Sequence, residues 1–184
     1  MTNNNLYTVY IGLGSNKGNP KKKLELAIKE LDKKVEIIKK SSIYETEPVG
    51  DNGTENFFNM VIKVQTEFPP HVLLDKLLKI EASLGRNRKN EKKWGDRTLD
   101  LDILSYDDII MNDYRLTLPH KEILNRIFVL EPLLEIEPKA KILNKDISKR
   151  LTILKRIKHY YIKDQGQVYG WFSKTEYLCI LYFI

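Results

Sequence analysis

The chain has 184 residues, 30% of them Asp, Glu, Lys or Arg, with a net charge of +6 and a single cysteine, Cys179. This length suits one domain with a proper core, and one cysteine excludes an internal disulfide and a thiolate metal cluster. The positive charge is spread over scattered lysines (Lys21–Lys23, Lys39–Lys40, Lys92–Lys93), which fits a solvated surface better than a nucleic-acid footprint.

Leu6–Leu13 reads as a strand running into Gly14-Ser15-Asn16. Asn19-Pro20 then supplies an N-cap and a proline at the first helical position. In the helix that follows, Leu24, Ala27, Ile28 and Leu31 form one buried stripe. Val35–Tyr44 is a second strand, residues 45–56 a long polar loop, and Phe57–Thr66 a third strand. Pro69 and Pro70 open a second helix, with Leu74, Leu77 and Leu78 inward and Gly85 at its C-terminal cap. Arg97–Tyr106 is a fourth strand; Asp107-Asp108 turns a hairpin into Ile109–Met111, and a further helix spans Ile127–Ile136. The order β-α-β-β-α-β is the split βαβ pattern of ferredoxin-like α+β folds, a core sheet with flanking helices.

The tail differs in character. Ile147–Lys158 reads as a basic helix, and the closing Y-L-C-I-L-Y-F-I is β-prone and uncharged. We divide the chain into a core of residues 1–146 and an extension of residues 147–184 packed on the same domain. The last octapeptide fits an extra strand, a dimer contact or an atypical terminus. The polar start M-T-N-N-N has no signal-peptide core, and no apolar run approaches the roughly 20 residues of a membrane span. A soluble cytoplasmic protein with no membrane partner is expected, as a monomer unless the tail pairs two copies.

The chemistry concentrates in R-T-L-D-L-D-I-L, residues 97–104. Strict alternation puts Leu99, Leu101 and Ile103 on one face, and Thr98, Asp100, Asp102 and Leu104 on the other. Two carboxylates roughly 7 Å apart on a half-buried face repel unless a cation sits between them, and a hard divalent ion such as Mg²⁺ suits their oxygens. A solvent-facing D-x-D on an edge strand is the plain alternative. Arg86, Arg88 and Arg97 bracket the charged loop just upstream, and Arg115 and His120 follow downstream. Guanidinium forks match phosphate oxygens bidentately, so a metal-bound polyphosphate site is suggested, against a simple network of surface ion pairs. There is no G-x-x-x-x-G-K-[ST], so side chains rather than a backbone nest would carry the phosphates.

The segments G-L-G-S-N (12–16), S-S-I-Y-E-T-E-P-V-G (41–50), F-F-N-M-V (57–61), G-R-N-R (85–88), W-G-D-R-T-L-D-L-D-I (94–103), R-L-T-L-P-H (115–120) and N-R-I-F-V-L-E-P-L (125–133) occur in that order. Together they resemble the 6-hydroxymethyl-7,8-dihydropterin pyrophosphokinase family of folate biosynthesis, over roughly residues 6–140. The resemblance implies transfer of the β,γ-pyrophosphoryl group of ATP to the pterin hydroxymethyl oxygen, giving the pterin diphosphate and AMP. It implies that Asp100 and Asp102 hold two Mg²⁺ ions, with Asp102 one candidate acceptor for the hydroxyl proton. Arg86 and Arg97 would contact the polyphosphate; Arg88, Trp94, Arg115 and His120 would complete the nucleotide site, with Glu81 and Ile103 near adenine and ribose. Phe57 and Phe128 would sandwich the pterin ring, Asn59 would read its amide-like edge, and main-chain groups at Thr46 and Val49 the remainder. Glu47, Phe57, Asp96 and Lys121 depart from residues common in the family at those places.

Two other classes compete. An RNA-binding ferredoxin-like module would fit the fold order and the charge, but it should carry an RNP-type aromatic run on its central strands, and acids stand there instead. Another Mg²⁺-dependent nucleotidyltransferase could share the D-x-D. The chain has no room for an added (β/α)₈ barrel of about 250 residues.

Overall fold

Strand β1 (Tyr7–Ser15) is hydrogen-bonded on both sides, to β4 (Phe57–Thr66) and to β5 (Asp100–Tyr106), antiparallel to each. The computed structural model describes residues 6–46, 55–88 and 95–164, with side chains through residue 156. Strand β2 (Glu36–Lys40) and the short β3 (Tyr44–Thr46) both pair with the far edge of β4, so the sheet runs β2-β4-β1-β5 with β3 following β2 along that edge. Among the described residues the fold is thus mixed, a five-stranded antiparallel sheet and two small two-stranded ones with four α-helices.

Alternation along the strands builds two cores. Val9, Ile11, Leu13, Met60, Ile62, Val64, Leu101 and Ile103 face helices α1 (Pro20–Asp32) and α2 (Pro70–Ser83). Val61 and Leu104 face the other way, onto α3 (Ile127–Ile136) and α4 (Ile147–Asp164) through Val129, Leu130, Leu133, Ile147 and Leu154. Helix α1 begins where its sequence signals place it: the Asn19 side chain accepts from the Lys22 N–H at 3.2 Å, and Pro20 opens the helix. Gly85, at φ +94°, ends α2 in the left-handed region that glycine enters without strain.

Several sequence expectations are corrected. The second strand is broken at 41–43, because Ser41 leaves the regular ladder. Its N–H donates to the Val61 carbonyl at 2.9 Å, while its hydroxyl takes the Val61 N–H at 3.0 Å. The buried stripe of α2 is Leu73, Leu77, Ile80 and Glu81, with Leu74 and Leu78 only half-buried. A leucine-rich helix offers two adjoining stripes, and packing on β5 selects the one ending in Glu81. Strand β5 starts at Asp100 rather than Arg97, because the Arg97 main chain is bound to Asn16 instead. Beyond it, β6 (Met111–Asn112) pairs with β7 (Thr117–Leu118) and not with β5. A small hairpin of β8 (Lys141–Ile142) and β9 (Lys145–Asp146) leads into α4, which extends past Lys158 to Asp164. Among the described residues no helix is long and apolar enough to cross a membrane. The closing octapeptide lies outside the described residues.

Candidate active site

Gly14 lies opposite Asn59 on one side and Asp100 on the other, and Gly12 lies likewise between Val61 and Asp102. The two glycines therefore floor the sheet between an amide and a pair of carboxylates. The Gly14 position has no space for a side chain, since a Cβ there would stand 2.9 Å from Asn59 Oδ1. Asn59 is buried and donates through Nδ2 to Thr46 Oγ1 at 2.8 Å, so the amide is oriented by the neighbouring strand. Phe57, two residues along from Asn59 and so on the same face, is half-buried opposite Thr46.

At the other end of the row, Arg86 Nη1 donates to Asp100 Oδ1 at 2.5 Å, and Arg97 Nη1 donates to Asp100 Oδ2. Burial pushes the Asp100 carboxyl up, but the Arg97 and Arg86 charges outweigh it and hold the group below the usual aspartate range. Asp102 goes the other way. Burial, then the Asp100 charge, push it up to about 7, against opposing pulls from Arg126 and Arg97. The pair is one anion held by two arginines beside one whose burial cost the more distant Arg126 and Arg97 charges offset only in part.

Glu81 sits beneath the arginines with 1% exposure. Oε1 accepts from Arg86 Nη1 at 2.6 Å and from the Leu101 N–H at 2.8 Å; Oε2 accepts from Arg88 Nη2 at 2.6 Å. Burial raises its pKa against those arginines. The residue read as lying near adenine is therefore occupied in aligning Arg86 and Arg88 with β5. The Ile103 side chain is likewise in the core against the first pair of helices, 2% exposed, on the face away from the two aspartates.

His120 is partly buried, and its Nδ1 accepts from the Glu122 N–H at 3.2 Å. Burial, then the Arg126 charge, lower its pKa to about 4, so the imidazole is neutral near pH 7. Phe128 is half-buried at the start of α3, with the Arg126 guanidinium 5.7 Å from its ring centroid. Arg115 turns elsewhere, to Asp75 of α2. Among the departures noted above, Asp96 accepts from Asn16 Nδ2 at 2.7 Å and Lys121 is exposed. Val49, Trp94 and Glu47 lie outside the described residues.

Two features escape the sequence reading. Arg126 acts electrostatically on both Asp102 and His120; its signal is the N-R-I-F motif, read there only for Phe128. Asn16, 3% exposed, is a clamp: its Oδ1 takes the Arg97 N–H at 2.6 Å, and its own N–H donates to the Arg97 carbonyl at 3.0 Å. Ser15 adds a bond to the Thr98 carbonyl at 2.6 Å. The sequence has the first strand running into Gly14-Ser15-Asn16 with no role assigned to the last two, yet Ser15 and Asn16 fix the segment that carries Arg97.

A family model described as 7,8-dihydro-6-hydroxymethylpterin-pyrophosphokinase matches residues 10–138. The chain is 42% identical over 133 residues to the 2-amino-4-hydroxy-6-hydroxymethyldihydropteridine pyrophosphokinase of Haemophilus influenzae, covering 71% of this chain and 82% of that protein. It is 43% identical over 129 residues to the enzyme of the same name from Bacillus subtilis, covering 69% and 76%. In three dimensions it resembles wild-type Plasmodium falciparum HPPK-DHPS with a TM-score of 0.67 at 18% identity, over 85% of this chain and 46% of that one. At that identity the likeness concerns the fold alone, and the chain spans less than half of the larger protein. These comparisons favour neither the RNA-binding nor the nucleotidyltransferase reading.

Proposed function

The chain belongs to the 7,8-dihydro-6-hydroxymethylpterin-pyrophosphokinase family, and from that we propose that the end of its sheet around Asp100, Asp102 and Asn59 is where the reaction takes place. The activity is transfer of the pyrophosphoryl group of ATP to the hydroxymethyl group of 6-hydroxymethyl-7,8-dihydropterin, in folate biosynthesis. The observation that carries the placement is the cross-strand row Asn59–Gly14–Asp100. The Asn59 amide and the Asp100 carboxylate share one surface, two strands apart, which supports a pterin edge at the one and phosphates at the other.

The donor set fits a hard divalent cation. Two carboxylates stand together, and Asp102 bears a burial cost that a nearby cation would relieve. Among the described residues no group of three or more His, Cys, Asp or Glu gathers to hold a metal, so the remaining ligands would be nucleotide oxygens and water. Asp100 and Asp102 would hold two Mg²⁺ ions, which when bound neutralise polyphosphate charge and acidify the attacking hydroxyl.

The chain's own residues then divide the work. Arg86 and Arg97 are set by Glu81, Asp100 and Asn16 to receive the transferring phosphates, where a fixed guanidinium stabilises spreading charge without reorganising. Neutral His120 and Arg126 border the same region and complete the nucleotide side, with Arg88 at its rim. Phe57 and Phe128 would stack on the pterin faces, worth about 0.5–1.5 kcal/mol each beyond area burial. Asn59, oriented by Thr46, would read the ring edge with one donor and one acceptor. We likewise read the strand order β2-β4-β1-β5, with every neighbour antiparallel, as ferredoxin-like, β2 and β3 together filling the place of one strand.

The nucleotide product tests this reading. Incubation with ATP and Mg²⁺ should yield AMP only when the hydroxymethyl-pterin is added, in equal amount to pterin diphosphate. ADP as the product, or AMP without pterin, would overturn it.

A further inference from the structure

Helix α4 begins after residue 138, where the family match ends, yet one of its buried side chains is hydrogen-bonded to the turn that follows His120. Arg150 is 8% exposed. Its Nε donates to the Leu124 carbonyl at 2.8 Å and its Nη2 donates to Asn125 Oδ1 at 2.9 Å. Both acceptors belong to the 3-10 turn Ile123–Asn125. That turn joins His120 on one side to Arg126 and Phe128 on the other.

The bonds continue in both directions. The Asn125 N–H donates to the Glu122 carbonyl at 3.0 Å, and Asn125 Nδ2 reaches Glu122 Oε2 at 3.3 Å. The Glu122 N–H in turn donates to His120 Nδ1, and the Ile123 N–H to the His120 carbonyl at 2.9 Å. Onward, the Arg126 carbonyl accepts from the Val129 and Leu130 N–H groups at 3.0 Å, which seats the first turn of α3. We infer that Arg150 is a positioning residue for the transfer reaction: it fixes the turn from which His120, Arg126 and Phe128 are presented. This rests on the placement of the reaction given above.

The physical basis is the guanidinium fork. It satisfies a main-chain carbonyl and a side-chain amide oxygen at once, in a fixed plane, which a single ammonium cannot do. Without it the turn keeps its short internal bonds and its apolar packing on α4 but loses these hydrogen bonds to it, and a displacement of about 1 Å at a reacting group can cost about 100-fold in rate.

The test uses the full chain with R150M, R150K, N125A and the double variant R150M/N125A, assayed well below their melting temperatures. Wild-type production of AMP with pterin is the prior control; if it fails, the functional reading fails and the Arg150 inference is not at issue. Given that control, R150M should lower the single-turnover rate roughly 10-fold or more and weaken pterin-analogue binding. R150K should recover only part of both. N125A should show a smaller loss of the same kind, and the loss in the double variant should fall short of the product of the two single losses, because the residues share one of their bonds. If R150M does not fold, N125A and R150K carry the test, and both must still show the losses. A folded R150M with wild-type rate and pterin affinity, changed only in melting temperature, would overturn the inference. So would losses that multiply in R150M/N125A.

Discussion

Asp100 and Asp102 share one face of β5, yet their surroundings drive their carboxyls in opposite directions. Arg86 and Arg97 hold Asp100 ionised, while burial and the Asp100 charge push Asp102 up to about 7. From sequence alone the two are equivalent, and removing either would be expected to spare the fold. The ion pairs break that symmetry.

Asp100→Asn should therefore destabilise the metal-free protein by about 3 kcal/mol, because it takes one anionic partner from the buried Arg86 and the partner of Arg97. Asp102→Asn should stabilise it at pH 8. The folded pKa of Asp102 lies above its unfolded value, so its ionisation penalty grows as pH rises from about 4 towards 7 and is fully present above that. The gain should be on the order of 1–3 kcal/mol at pH 8 and fade at pH 4. Both variants should lose most of their turnover. Melting curves in chelator at the two pH values check the signs; equal shifts for the two variants would contradict the asymmetry.

His120 gives the opposite pH trend. Its folded pKa of about 4 lies below the unfolded value, so the unfolded chain binds the extra proton between those limits. Stability from this group is fully present above about pH 6.5 and is lost as pH falls towards 4, by up to about 3 kcal/mol. His120→Gln should flatten that part of the denaturant-midpoint profile. An unchanged slope between pH 4 and 6.5 would mean the imidazole is not held neutral.

Gly14→Ala should act on the pterin side. The added methyl meets Asn59 Oδ1 at 2.9 Å and must displace the amide or bend the strand, at about 1–3 kcal/mol. Binding of a pterin analogue should weaken roughly tenfold while ATP-analogue binding stays close to wild type. Calorimetric titration of each ligand reads this directly, and equal weakening of both would place Gly14 elsewhere in the mechanism.

Glu81→Gln removes the buried anion that Arg86 and Arg88 share. Arg86 is left with less compensating charge while the burial cost that raises the Glu81 pKa is relieved, so the net loss should stay below the roughly 3–5 kcal/mol of a broken buried pair, seen as a lower denaturant midpoint with an unchanged slope. A loss under 1 kcal/mol would mean that Asp100 alone suffices to hold Arg86.

The period-two pattern of β5 was legible because one face meets an apolar core, and so both acids could be placed on the other. Helix α3 was legible at both ends because its apolar run is bounded by polar residues and Pro138. The break before β3 was not legible, because a Ser41 hydroxyl replaces a main-chain acceptor, and nothing in S-S-I-Y announces that exchange. Nor was the role of Glu81, since a carboxylate on a helix signals solvent until its arginines are seen folded over it. Arg126 was hidden by the more conspicuous aromatic two residues on. The roles given to Phe57 and Phe128 rest on family likeness, with Phe57 on the same strand face as Asn59.

The division of the site into a phosphate half and a pterin half is tested most directly by single-turnover quench measurements of AMP formation in wild type, Arg97→Ala and Phe57→Ala. Each variant is paired with titration by an ATP analogue and by pterin. Arg97→Ala should slow the chemical step substantially, though by less than the roughly 10³–10⁵ of a lone arginine finger, because Arg86 shares the charge. Phe57→Ala should weaken pterin binding and leave nucleotide affinity nearly unchanged. An Arg97→Ala variant with an unaltered single-turnover rate, or a Phe57→Ala variant that loses nucleotide affinity, would contradict the account.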